Sequence, residues 1–223
     1  LSVTKLADTL IGFHITPLYL QHYHSVLELK KIEPSPEVNY CLNFIKKCAP
    51  WANILENAKA QGKLHLRPIH GDPKINNIMI DKNTKKAIAM VDLDTVKPGL
   101  VHYDLGDCLR SGCNLLGEET DAWENVNFEL DLARSILQGY LNVARNFLTA
   151  YDYQYLYDGI RLIAFELGLR FFTDYLEGDI YFKTKYPEHN LIRALVQFKL
   201  TESIESQKTE ILDIIQDLSG KLR

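Results

Sequence analysis

Apolar positions follow three regimes along the chain: helical spacing at the start, short strand-like runs in the middle, and long helical stripes towards the end. Thr16 followed by Pro17 predicts a helix start, with Thr16 as the cap and Pro17 in the first turn. Leu18, Tyr19, Tyr23, Val26 and Leu27 then recur at helical spacing. Ser35 and Pro36 repeat the start signal and open a helix through Val38, Leu42 and Ile45, which Pro50 interrupts. A short helix is expected from Trp51 until Gly62 stops it.

From His65 the period changes. LHLRPI, NNIMID and AIAMVDLD are short apolar runs separated by turn residues, which predicts strands. Residues 81–86 read as the loop between the second and third runs. Pairing 77–81 with 87–92 so that Met79 faces Met90 puts Asn77 opposite Asp92. Directly opposed antiparallel residues share a face, with Cβ atoms roughly 5 Å apart. After Gly99 the pattern reads as irregular to about Asn125.

Helices then resume. Phe128, Leu132, Ile136, Tyr140 and Ala144 form one apolar stripe, with Ala133, Leu137 and Leu141 beside it. Leu156 to Leu176 is apolar over most of its circumference and is expected to be a buried central helix, with 191–204 and 211–218 completing a bundle. The pattern predicts one α+β domain, mostly helical, with a small antiparallel sheet inserted.

The net charge of -4 gives no electrostatic reason to expect nucleic acid or an anionic membrane surface as a partner. No apolar run approaches the roughly 18 residues of a membrane helix, and the N-terminus does not read as a signal peptide. Cys41, Cys48, Cys108 and Cys113 form no CxxC pair, so buried thiols in a reducing cytosol are expected. His22 and His24 lie on different faces of a helix, which argues against a zinc site.

Chemistry concentrates in the strand-rich segment. His70-Gly71-Asp72-Pro73-Lys74-Ile75-Asn76-Asn77 is followed by Val91-Asp92-Leu93-Asp94. Half-buried charges cost several kcal/mol unless something pairs with them, so the cluster predicts a metal, a charged ligand or a dense hydrogen-bond network. Asn77 and Asp92 supply hard oxygen donors suited to Mg²⁺. Asp72, at the end of a strand, is placed to orient or deprotonate a substrate hydroxyl, and Lys74 to reach a phosphoryl group. Phosphoryl transfer needs mostly positioning and charge neutralisation, so these groups suffice for the hydroxyl side of the reaction.

H-G-D-x-K-x-x-N followed by a D-x-D strand resembles the catalytic loop and metal-binding strand of the aminoglycoside phosphotransferase and choline kinase superfamily, which has the protein-kinase-like fold. The resemblance implies Asp72 as catalytic aspartate, Asn77 and Asp92 as Mg²⁺ ligands, and Asp94 as a second metal ligand or a support for the first. His70 and Gly71 would shape the loop, and Asp104 and Asp107, in Tyr103-Asp104-Leu105-Gly106-Asp107, would brace it. Gly12-Phe13-His14 and the segments 91–107, 169–183 and 189–205 further resemble the N-acetylhexosamine 1-kinases, which phosphorylate the anomeric hydroxyl with ATP. That likeness implies His14, Arg170 and Tyr181 as sugar contacts. At Ser111 the family's pattern favours an aromatic residue.

No GxGxxG and no strand-borne lysine precede the catalytic loop. The chain therefore reads as the C-terminal lobe of such a kinase, expected to be inactive without the lobe that cradles ATP. The alternatives are a kinase for choline, homoserine or an aminoglycoside, and a non-catalytic binding module on the same fold.

Overall fold

Helix α7 (Leu156–Glu177) has to be surrounded, because its apolar residues run round most of its circumference. In a computed structural model that describes residues 6–8, 10–31 and 33–220, it is the central rod. Helix α8 (His189–Ser206) packs along it. The approach is close because position 168 is glycine: a Cβ there would stand 2.6 Å from the Phe198 ring.

Two apolar layers flank this pair. On one side α1 (Thr16–Leu29), α2 (Pro36–Cys48) and α3 (Ile54–Ala60) bury Tyr23, Phe44 and Leu55 against Phe165, Leu169 and Phe172. On the other, α4 (Val101–Gly112), α5 (Leu130–Ala144) and α9 (Lys208–Gly220) bury Leu109, Leu137 and Ile211 against Ile160 and Ala164. A short α6 (Ala150–Gln154), closed by a capping box on Thr149, leads into α7. Three cysteines are buried and all four are free, and burial pushes the Cys48 and Cys113 thiols up to about 12. Among the described residues no helix is long and apolar enough to cross a membrane.

The strands form two separate ribbons rather than one sheet. β1 (Arg67–Ile69) pairs antiparallel with β4 (Lys97–Gly99), and β2 (Ile78–Ile80) with β3 (Ala87–Met90). The hairpin register differs by one residue from that expected: Met79 faces Ala89, Ile78 faces Met90, and the Val91 amide donates to the Asn77 carbonyl. Asn77 therefore faces Val91, not Asp92. Two local features shift the pairing. Residues 75–77 close a 3₁₀ turn before β2 begins, and the ladder is irregular between Met79 and Ile80.

Other expectations also give way. The segment after Gly99 is irregular only from Cys113 on: 101–112 is a helix, held by burial of Leu105 and Leu109. Ser35 caps α2 as expected, accepting from the Val38 amide, but Thr16 caps nothing. Its hydroxyl donates to Glu166 instead. Of the apolar stripe expected at α5, Phe128 and Ala144 are buried with Ala133, Leu137 and Leu141, and Ile136 and Tyr140 pack against them, but Leu132 is turned outward.

Helices α4 and α7 cross glycine to glycine. A Cβ on Gly106 would lie 2.5 Å from the Gly159 carbonyl, and one on Gly159 would lie 2.9 Å from His102. Alanine ordinarily improves a helix by roughly 1 kcal/mol over glycine. Here Gly106→Ala is expected to destabilise by about 1–3 kcal/mol, the cost of overpacking, which chemical denaturation of the two proteins would measure.

Candidate active site

The loop after β1 has nearly every backbone group assigned. Asp104, near the start of α4, accepts from the amides of His70 and Gly71, both at 2.8 Å. Burial raises the Asp104 carboxyl above its ordinary range, against those two amides. The Thr95 hydroxyl donates to the His70 carbonyl at 2.7 Å. His14 Nε2 stands 2.6 Å from the Gly71 carbonyl. The Ile75 amide donates to Ser111 Oγ at 3.0 Å. Gly71 has φ +86, and a Cβ there would meet the Thr95 carbonyl at 2.7 Å, so only glycine fits.

His70 joins this loop to the strand that carries Asp92. Its Nδ1 accepts from the Asp72 amide, at 3.3 Å, so the proton sits on Nε2, which donates to the Val91 carbonyl at 3.1 Å. Asp72 is half-buried. Lys74 donates to its Oδ2 at 2.7 Å and the Asn77 amide at 3.1 Å. Oδ1 has no donor among the described residues and is left to accept from a hydroxyl. Lys74, expected at a phosphoryl group, is thus paired with Asp72 here.

Asn77 is buried, and its amide nitrogen also donates to the Asp72 carbonyl, so its oxygen remains available. Asp92 follows directly on the residue paired with Asn77. Its backbone is left-handed, φ 64, a conformation that aspartate tolerates better than most residues and that re-aims the chain. Asp92 and Asp94 are exposed and carry no hydrogen bond or ion pair among the described residues. The Asn77 amide oxygen and the Asp92 carboxylate, one residue out of register, are uncommitted hard oxygens of the kind Mg²⁺ takes, with water and phosphate to complete its shell. Among the described residues no three His, Cys, Asp or Glu side chains cluster as a metal cage. A cation here would therefore depend on the Asn77 amide and on ligand oxygens.

A cavity of about 820 Å³ opens beside the loop. Asp72, Lys74, His14, Asp107, Arg170 and Tyr181 all line it, whereas Asn77, Asp92 and Asp94 lie outside its wall. His14 is engaged at both ring nitrogens, by Gly71 and by Glu166 Oε1 at 2.8 Å, which leaves only its ring to a ligand. Asp107 does not reach the catalytic loop. Its carboxylate pairs with the buried Arg110, whose guanidinium also binds Glu118, because the side chain points down α4 towards 114–119. Asp104 alone of the two aspartates braces the loop.

The charged residues at 166, 170 and 174 of α7 do not pair with one another. Glu166, Arg170 and Asp174 stand one turn apart, yet each reaches a different segment. Glu166 takes His14 and the Thr16 hydroxyl. Asp174 takes the backbone amides of 180–182. The Arg170 guanidinium lies over the rings of Phe13, Tyr19, Tyr181 and Phe182 at 5.1–5.8 Å and has no carboxylate partner among the described residues. The other cations of the wall are all matched: Lys74 with Asp72, Arg110 with Asp107, Arg193 with Glu119 and His14 with Glu166.

Glu166, Asp174 and Thr95 are not expected at the site from sequence, and Ser111 is marked there only by its departure from the family's aromatic pattern. For the α7 pair one signal was present: carboxylates on a helix apolar all round cannot face water, so each must be met by donors from elsewhere. Thr95 and Ser111 give no such signal. Residues 12–137 match the family described as APH, the phosphotransferase enzyme family, over more than half of the chain. That stretch takes in α1, the catalytic loop, both ribbons and α4, and on this match the protein belongs to the phosphotransferase enzyme family.

Proposed function

We propose that this chain is the hydroxyl-side, magnesium-binding lobe of an ATP-dependent kinase whose acceptor is a sugar, most consistently the anomeric hydroxyl of an N-acetylhexosamine. Phosphoryl transfer to a small molecule is the family's chemistry, with ATP as co-substrate and usually Mg²⁺. Asp72 Oδ1 accepts the proton of the acceptor hydroxyl and aims its oxygen. Lys74 holds the other carboxylate oxygen, and swings to the transferring group when one arrives. Asn77 and Asp92, with Asp94 beside them, would hold Mg²⁺, which supplies charge neutralisation on the phosphates. Asp104, His70 and His14 keep the loop in shape.

The observation that carries the acceptor class is Arg170. Four aromatic rings surround a cation, as they would around a quaternary ammonium, but the cation is the protein's own. Choline has no empty cage to enter, and an aminoglycoside would bring like charge to an unmatched guanidinium. A neutral polyol with a carbonyl oxygen suits it. So does a hydroxy acid such as homoserine, the second reading, since a carboxylate would supply the missing counter-charge.

The lobe that cradles ATP is proposed to cover the β2–β3 ribbon. Met79, Ile88 and Met90 are 49%, 62% and 47% exposed, and every residue of β3 is exposed. An isolated two-stranded ribbon is marginal in water, so an apolar one implies a covering layer. Residues 1–223 alone are expected to bind the acceptor without turning over ATP, and full turnover by them would remove this lobe from the account. The acceptor is tested by presenting MgATP with N-acetylhexosamines, homoserine, choline and an aminoglycoside to the intact enzyme and measuring ADP. Preference for either cationic acceptor would overturn the reading from Arg170.

A further inference from the structure

We propose that Asp174 is the positioning residue of the acceptor site: it holds the turn 179–182 so that Tyr181 and Phe182 face the cavity beside Arg170. This rests on the reading of that cavity as the acceptor site. The turn begins where α7 ends, at Gly178 and Asp179, both left-handed, with φ 100 and 60. Two such residues in succession fold the chain back over the helix end and point the next amides inward. Asp174 Oδ1 accepts from Ile180 at 3.0 Å and from Tyr181 at 2.8 Å. Oδ2 accepts from Phe182 at 2.9 Å and from the Asn190 amide at 2.9 Å. The same Asn190 nitrogen donates to Asp179 Oδ1 at 2.8 Å, which closes the turn from its other side.

Asp174 is 3% exposed and has no cation partner among the described residues. A carboxylate buried without a counter-ion is costly unless donors surround it, and here the donors are the backbone of the turn and the side chain of Asn190. Only a carboxylate meets them all. An amide has one oxygen, and its NH₂ would oppose either the Ile180 and Tyr181 amides or the Phe182 and Asn190 amides. Tyr181 itself is 73% exposed, and its ring meets the edge of Phe182 and the Arg170 guanidinium. Side-chain packing this open leaves its place to be set from beneath, through its amide.

The expected result is a split between binding and chemistry. In the intact enzyme, Asp174→Asn raises the acceptor KM about tenfold or more, the loss of charge-assisted hydrogen bonds. The kcat and the KM for MgATP stay within about threefold, because Asp72 is held by other groups. Asn190→Ala removes only the second donor and shifts the acceptor KM in the same direction by less. Amide hydrogen exchange gives an independent reading: the amides of 180–182 are protected in the wild type and exchange faster in Asp174→Asn, while those inside α7 do not change. An unchanged acceptor KM, or a fall in kcat alone, overturns the proposal, as does equal protection of 180–182 in both proteins. Should Asp174→Asn fail to fold, Asn190→Ala decides by the same two readouts. Exchange needs no acceptor, so a wild type that phosphorylates no sugar would count against the assignment of the cavity and leave this test standing.

Discussion

Replacing Asp72 with asparagine is expected to lower kcat by roughly 10²–10⁴, the usual contribution of a positioned general base. The substitution keeps the shape and removes the acceptor strength. The loop does not depend on the Asp72 carboxylate for its form: its amide is held by His70 and its carbonyl by Asn77, and the neighbouring groups by Asp104, Thr95 and His14. The thermal midpoint should therefore move little, and the acceptor KM should change far less than kcat. The Lys74 amine loses its partner and becomes free to sit on phosphate, which tightens rather than weakens nucleotide binding. Steady-state kinetics with each substrate varied in turn, beside a thermal melt, would check all four. Activity within a few-fold of wild type would mean that Asp72 is not the base.

Glu166→Ala is expected to destabilise the fold by about 3–5 kcal/mol, the cost of removing one partner from a buried charge pair. Glu166 and His14 are 1% and 5% exposed, and Thr16 shares the same carboxylate at 2.6 Å. Burial alone would lower His14, but the Glu166 charge and hydrogen bond, with the Gly71 carbonyl, outweigh it and raise the imidazole above its ordinary 6.5. The sign of the pH dependence follows. A group whose folded value is raised contributes stability that is complete below the unfolded value and is lost as pH rises through the folded one. Glu166→Gln separates charge from geometry. Its NH₂ can donate to a neutral His14 Nδ1, its carbonyl can accept from Thr16, and Nε2 still donates to Gly71. Glu166→Gln should therefore be milder than alanine, and the gap between it and wild type should shrink as pH rises above 6.5. Denaturant titrations at a series of pH values would show this, and a gap that widens with pH would reverse the assigned charge on His14.

The parts of the fold legible in the sequence are those where one periodicity acts alone. Helix α2 follows from its Ser35 cap and helices α7 and α8 from apolar spacing, because nothing competes with burial there. Helix α4 was hidden. Its two glycines and its acids lower helix propensity, and Gly106 exists for a crossing partner, Gly159, more than fifty residues away. The hairpin register departs from the expected one for a related reason: Asn77 belongs to a turn, which alternation of side chains cannot reveal. At the candidate site, the motif puts forward Asp72, Asn77 and Asp92 as the residues to examine, since they stand at fixed spacing. It could not indicate what holds them. His14, Thr95, Ser111 and Glu166 act through contacts far apart in the chain, and no local pattern records those.

The spacing of the α7 carboxylates makes the helix a ruler. Glu166, which secures the segment touching the catalytic loop, and Asp174, which secures the turn bearing Tyr181, are eight residues apart. At 1.5 Å per residue that is roughly 12 Å of rigid rod. Neither end can slide without unwinding the most buried helix of the molecule. On the proposed reading of the cavity as the acceptor site, the span between the loop of Asp72 and the turn of Tyr181 is thereby inherited from helical rise.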